Sequence, residues 1–596
     1  MKYNVREGDY RTMGAVVRSD GVVFTFEGRK EQKCSIVLYE KKTGKIGKIP
    51  VPDTYYVGAL RSIMVMGIEP ASFDYNFEID GKVMTDPYAR RIVGREKWGE
   101  KERFGMDYQV KSGFSTDVFD WEEDVAPEIA KKDMVMYKLH VRNFTMEGSN
   151  GGARKGTFEA VENRIGYLRD MGVTTVEFMP FYEFEELMIP ETCELPDYVT
   201  WKEEQKTDTK KLPEVEKINC WGYTEGNYFA PKAAFTKSRQ PEHALKSLIK
   251  ALHKNDMECI MEIYFPDTIN QNLMLEALRF WVMEYHVDGF RLMGANLPVR
   301  AMAQDLILCR SKLFADTIPE DLLEQDYAYP HLFVYRDEFY YPLRKMLNHK
   351  EICLTDFVNQ MRKQKKYAGF VNYAASNDGF TLADVFMYSE KHNEANGENN
   401  ADGNDWNYSD NYGIEGPTRK KYIESLRKKQ LRNAITAVFL AQGIPLLAAG
   451  DEIGNSQRGN NNAYCQDNAV GWVNWKNDKK YASLQQFVKE MIAFRKAHPV
   501  LRMEEPMRMN DYKGLGYPDL SFHCDSAWTV GFSPNRQSVG MLYCGLYADC
   551  EEMIYVAYNF HTGKQFLALP KLPKSKKWYK VMDTGNENGF LDLYAA

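Results

Sequence analysis

At 596 residues, with 44% hydrophobic and 27% charged side chains, the chain is too long for one hydrophobic core and reads as a soluble globular protein of two or three domains. A formal net charge of −7 leaves no basic surplus to neutralise phosphates, which excludes nucleic acid as an expected partner. Ten cysteines with no CxxC pair, and no histidines at metal-ligand spacing, exclude a zinc site and a disulfide framework alike.

The opening residues MKYNVREGDYRTMG carry no apolar signal core, and no later stretch reaches the roughly 18 apolar residues of a membrane span. The expectation is therefore no membrane partner and a reducing cytoplasm. Residues 1–118 alternate short strands with turns, as in GVVFTFEG and KCSIVLYEKKTGK, which predicts an N-terminal β-sandwich. From about Asp133, apolar runs alternate with helical patterns: MVMYKLHV, FEAVENRIGYLRDMGV, TTVEFMP, a long loop to WGYTEGNYFAP, PEHALKSLIKALHKNDM and ECIMEIYF. The alternation continues through FWVMEYHVDGFRLM, KLFADT, GFVNYAASND and IPLLAAGDE. Over 119–498 this pattern fits a (β/α)8 TIM barrel better than an open sheet, so the fold class is α/β. Residues 499–596 return to strand and turn, as in MLYCGLYADCEEMIYVAYNF, and predict a C-terminal β-sandwich domain. The compositional anomaly is an Asn-rich loop, NEANGENNADGNDWNYSDN, and aromatic side chains reach 13%. Aromatics fill cores by default and also stack on the apolar faces of sugar rings.

Several strings carry a family signature. KYAGFVNYAASNDGFTLADVFMYSEKHNEANGENN and AQGIPLLAAGDEIGNSQRGNNNAYCQDN closely resemble glycoside hydrolase family 13, in its isoamylase and glycogen-debranching (pullulanase-type) branch. So do YKLHVRNFT, WGYTEGNYFAP and LRFWVMEYHVDGFR. The resemblance covers nearly the whole chain. It implies a sandwich like carbohydrate-binding module family 48, an α-amylase-type barrel and a C-terminal β-domain. It also implies a branched α-glucan cut at α-1,6 links, with glycogen, starch and maltooligosaccharides as ligands and no cofactor or metal.

Active sites of such barrels form at the C-terminal strand ends, and function has to be read there rather than from the fold. Retaining glycosidases need a nucleophilic carboxylate and a protonated carboxylic acid about 5–5.5 Å apart. The family pattern at the fourth strand is Phe-Arg-x-Asp, with Asp as nucleophile; this chain has Phe290, Arg291, Leu292 and Met293. At the fifth strand, where the family places its glutamate acid, it has Ala315, Asp316 and Thr317. Asp316 keeps a carboxyl one methylene shorter. The seventh strand normally ends His-Asp, and here Asn377 precedes Asp378. The third normally ends Asp-x-x-x-Asn-His, and the matching positions are Glu262, Pro266 and Asp267. Only Arg291 and Asp378 match the family around the cleaved sugar.

The resemblance thus marks Asp316 and Asp378 as catalytic remnants. Trp221, Tyr223, Glu262, Asp267, Arg291, Asn377 and Asp378 become candidate sugar-binding residues. Each has a plainer reading. Met293 reads as a core gap filler, Trp221 and Tyr223 as structural packing, and Glu262 and Asp316 as a solvated rim or as partners of Arg291. Lys138, where the family has Glu, reads as a drifted site or a surface residue, and Asp288 as structural. The expectation is a catalytically impaired, α-glucan-binding or regulatory pseudoenzyme whose protein partner is an active debranching enzyme. The alternative is an active α-1,6-glucosidase with relocated or residual carboxylate chemistry.

Overall fold

The computed structural model describes residues 3–101, 110–115, 118–148, 152–188, 217–325, 327–529, 531–572 and 575–591. Strands with alternating apolar residues build the N-terminal sandwich. One sheet pairs Gly14–Arg18, Gly21–Glu27, Leu60–Met66 and Val5–Glu7, and the other is centred on Cys34–Glu40 and Phe73–Ile79. Residues two apart, such as Val22, Phe24 and Phe26, point inward to meet Ile36, Leu38, Tyr75 and Phe77. Arg91 joins this sandwich to the next unit through Glu242, donating from Nε and Nη2 at 2.7 and 2.8 Å.

The central unit is a closed eight-stranded parallel barrel. Its strands are β1 Met136–Leu139, β2 Thr175–Phe178, β3 Glu258–Phe265, β4 Gly289–Gly294, β5 Lys312–Ala315, β6 Leu332–Tyr335, β7 Gly369–Asn372 and β8 Ile444–Ala448. The sixth strand is absent from the runs read in the sequence. It is four residues long, and its flanks, Pro330 before it and the helix Asp337–Leu347 directly after it, are the signal that marks it.

Because side chains alternate across a strand, every second residue points into the barrel. Met136, Ile260, Phe314, Phe333, Val371, Ile444 and Leu446 fill its apolar interior. One step nearer the C-terminal ends, the interior positions are Lys138, Glu177, Glu262, Arg291, Tyr335 and Tyr373, all buried. A charged layer therefore caps an apolar plug. At the opposite end, His253 lies 3.1 Å from both Asp124 and Asp288, and Asp288 accepts the Cys259 amide at 2.7 Å, a structural role.

The C-terminal strands Leu520–His523, Ser538–Cys544 and Met553–Asn559 form an antiparallel sheet that shares its apolar cluster with the barrel helices. No described cysteine is disulfide-bonded, and Cys193 lies outside the described residues. Among the described residues, no helix is long and apolar enough to cross a membrane.

Candidate active site

The mouth of the barrel is assembled from the ends of seven strands or the loops that leave them. Lys138 on β1 is not a surface residue: it is 7% exposed because it occupies an interior position of the barrel wall. Its Nζ contacts Glu262 of β3 and lies 3.6 Å from Glu177 of β2. Tyr223 donates its hydroxyl to Glu262 at 2.6 Å and accepts from Asn377 Nδ2 at 3.2 Å. Tyr335 of β6 donates its hydroxyl to Glu177.

Two buried carboxyls beside one ammonium cannot both ionise freely. Burial raises the Glu177 carboxyl well above its ordinary range, and the Glu262 charge adds to that rise against the pull of Lys138. Burial also raises Glu262, but Lys138 and hydrogen bonds from Glu177, Lys138 and Tyr223 outweigh it and hold that carboxyl below its ordinary range. The proton accordingly stays on Glu177, and Glu262 is the anion of the Lys138 ion pair.

Arg291 of β4 pairs through Nη2 with Asp316, just beyond β5, and its guanidinium lies 3.8 Å from the centroid of the Tyr335 ring. Two residues on, Met293 is half-buried rather than sealed in the core. With Leu292, Leu297, Pro298, Val299 and Asp316 it lines an open cleft of about 700 Å³ between the loops that follow β4 and β5. The strand ends on the next residue. Gly294 has φ +124°, and a Cβ there would lie 1.9 Å from the Phe265 carbonyl oxygen, so only glycine fits. Asp316 is open to solvent, with 69% of its side chain exposed.

Asn377 and Asp378 follow β7, and the loop is fixed by the Gly379 amide donating to Asn461 O at 3.0 Å. Asp378 is exposed at this rim. Its carboxyl is nevertheless raised, first by desolvation and then by Asp337 and Asp316, against Lys138. Asp337, just after the unread strand β6, accepts the Tyr373 hydroxyl at 2.5 Å and is the carboxylate that sequence reasoning missed.

The candidates thus separate. Tyr223, Glu262 and Asn377 form one hydrogen-bonded group, and Arg291 with Asp316 forms another. Trp221 is buried with Met179, Cys220 and Ala463, its ring edge-on to Tyr223 at 6.0 Å. Asp267 is exposed on the loop after β3. Among the described residues, no group of three or more His, Cys, Asp or Glu side chains is placed to hold a metal ion.

No family model matches the chain. Its relatives include the rice chloroplastic isoamylase 3 (Oryza sativa subsp. japonica), 28% identical over 92% of this chain and 76% of the relative. A GlgX homolog, a glycogen operon protein of Mycobacterium bovis, is 25% identical over 98% of this chain and 94% of its own length. Among solved structures, a pullulanase from Paenibacillus barengoltzii crystallised with maltohexaose and α-cyclodextrin superposes with a TM-score of 0.68. It is 20% identical, over 95% of this chain and 90% of that one.

Proposed function

We propose that this chain, a member of the isoamylase and pullulanase branch of glycoside hydrolase family 13 and so of α-glucan metabolism, binds α-glucan at its barrel mouth while its hydrolysis of α-1,6 links is impaired or lost. The pairing of Arg291 with Asp316 carries this reading. Retaining hydrolysis needs one carboxylate to attack the anomeric carbon and a second carboxyl, on the other face, to protonate the leaving oxygen. On β4 the attacking position holds the Met293 thioether, which forms no glycosyl-enzyme ester. Just beyond β5 the remaining carboxyl, one methylene shorter than the family's glutamate, is paired with Arg291. Asn377, Asp378 and Tyr223 still offer hydrogen-bonding groups to sugar hydroxyls. Such a subunit would hold glucan for an active debranching enzyme, which co-purification from the native source would retrieve.

A second reading is favoured by one observation: Asp337 and Asp316 stand near enough to Asp378 at the mouth to add to the rise that desolvation gives its carboxyl. Relocated carboxylate chemistry would draw on that group. Incubation with amylopectin, glycogen and pullulan separates the two readings. The first expects retention on glucan without new reducing ends. Turnover at enzymatic rates, roughly 1–10³ per second, that disappears in Asp337→Asn or Asp378→Asn would establish the second instead.

A further inference from the structure

A run of aromatic rings leads from the barrel mouth to the surface. It starts at Tyr335, beneath the Arg291 guanidinium, and passes to Tyr373 at 5.7 Å, Tyr340 at 5.4 Å and Tyr341 at 4.9 Å between ring centroids. From Tyr341 it continues edge-on to Tyr408 at 5.7 Å, and from there to Trp406, nearly parallel to Tyr408, at 6.4 Å and 27°. Burial falls along the run. Tyr335, Tyr373 and Tyr340 are buried, Tyr341 and Tyr408 half-buried, and Trp406 is 68% exposed.

A single exposed aromatic needs no explanation. Here the backbone beneath the rings is held firmly. The Trp406 amide donates to Asn404 Oδ1 at 2.8 Å. The neighbouring Asn407 is buried, donating to Asn404 O at 2.7 Å and accepting from Asn461 Nδ2 at 3.0 Å. Tyr408 has φ +47°, a conformation costly for an aromatic residue, and its carbonyl accepts from Asn348 Nδ2 at 2.8 Å. Asn404 also donates to the Tyr341 hydroxyl at 3.3 Å, tying the loop to the helix Asp337–Leu347. A strained loop, hydrogen-bonded at Trp406, Asn407 and Tyr408, that keeps an indole in water holds it where a flat apolar partner can dock, with Asn404 and Asp405 beside it in the chain. Sugar rings present that combination, an apolar face with hydroxyls at its edge.

We infer that Trp406, with Tyr408 and Tyr341, forms a platform on which glucosyl residues of an α-glucan chain stack, alongside the barrel mouth and continuous with it. This rests on the α-glucan-binding reading above and extends the contact beyond Asn377 and Asp378. The test uses the full chain and three variants, Trp406→Ala, Trp406→Phe and Asn377→Ala, titrated with maltoheptaose by calorimetry and with glycogen by gel retardation. Trp406→Ala should bind about tenfold more weakly, because it deletes the stacking face. Trp406→Phe should keep most of the affinity, because a ring remains. Circular dichroism should show both folded, since the side chain lies in solvent. If Trp406→Ala binds like the unaltered protein while Asn377→Ala binds more weakly, the platform is overturned and the mouth reading stands. If the unaltered protein binds neither probe, the mouth reading fails and the platform fails with it.

Discussion

Two polar regions meet at the C-terminal face of the barrel, joined where the Gly379 amide bonds to Asn461 O, and they satisfy their polar groups in opposite ways. In the loops after β7 and β8, amides interlock around the carboxylate of Asp402. Asn393, Asn396, Asn460 and Asn461 each use both the donor and the acceptor of the side chain. In the barrel mouth, charges are held in pairs: Lys138 with Glu262, both buried, and the buried Arg291 with the exposed Asp316. Among the described residues, Arg291 Nε and Nη1 are buried without a hydrogen-bond acceptor. A network of amides spreads its bonds over many partners, whereas a buried ion pair depends on few. The Asn-rich loops thus hold together as a many-partnered scaffold, whereas the mouth concentrates its charge in a few pairs.

This contrast predicts where a single substitution does most damage. Lys138→Met preserves much of the side-chain volume but leaves the Glu262 anion without its ion-pair partner in a buried layer. Removing one partner of a buried pair costs about 3–5 kcal/mol, a large share of a domain's stability. Urea denaturation of the variant against the unaltered chain measures it. A loss below about 1 kcal/mol would mean that water reaches the layer and that the mouth is not sealed.

The next effect depends on pH. Glu177 has its folded-state carboxyl raised, chiefly by burial. Between the ordinary glutamate value of 4.5 and that raised value, the unfolded chain has released the proton and the folded chain still holds it. The folded state then binds more protons, so stability falls as pH rises through this window, by at most about 1.4 kcal/mol per pH unit. Glu177→Gln imitates the protonated acid, since its amide can donate to Glu262 and accept from Tyr335, yet it cannot titrate. Melting temperatures of the two proteins should coincide near the lower edge of the window and diverge in favour of the variant as pH rises. Parallel curves would place the proton elsewhere in the layer.

The barrel and its flanking β-units were legible in the sequence because strand and helix periodicities are local. Arg291, Met293, Asp316, Asn377 and Asp378 were legible because they sit beside recognisable strings. What was not legible depends on pairing across the barrel. Lys138 and Glu262 are 124 positions apart, and nothing beside Lys138 announces an acidic partner on β3. Read alone, a lysine in YKLHV looks like a surface residue. Strand β6 was missed because four apolar residues make a weak signal, and Tyr335 and Asp337 were missed with it. Met293 reads as core from the sequence because thioethers usually fill cores. Its position next to last in β4, before Gly294, leaves it facing the cleft.

The smallest of these effects belongs to the loop network, and it tests the comparison from the other side. Asn461 is fully buried. Its side chain accepts from Asn393 Nδ2 at 2.8 Å and donates to Asn404 O at 2.6 Å and Asn407 Oδ1 at 3.0 Å. Leaving a buried polar partner unsatisfied costs about 1–3 kcal/mol, and Asn461→Ala should fall at the low end. Asn393 Nδ2 still reaches Asp402 O at 2.9 Å, and Asn404 O still accepts from Asn407 Nδ2 at 2.7 Å, so Asn407 Oδ1 alone is deprived. The backbone bond from Gly379 to Asn461 O needs no side chain, so Asn377 and Asp378 stay in place and glucan retention should be unchanged. Chemical denaturation and gel retardation read the two outcomes separately. A loss as large as that of Lys138→Met would show that the amide network concentrates its stability in single partners just as the ion pairs do, and the distinction between the two regions would fall.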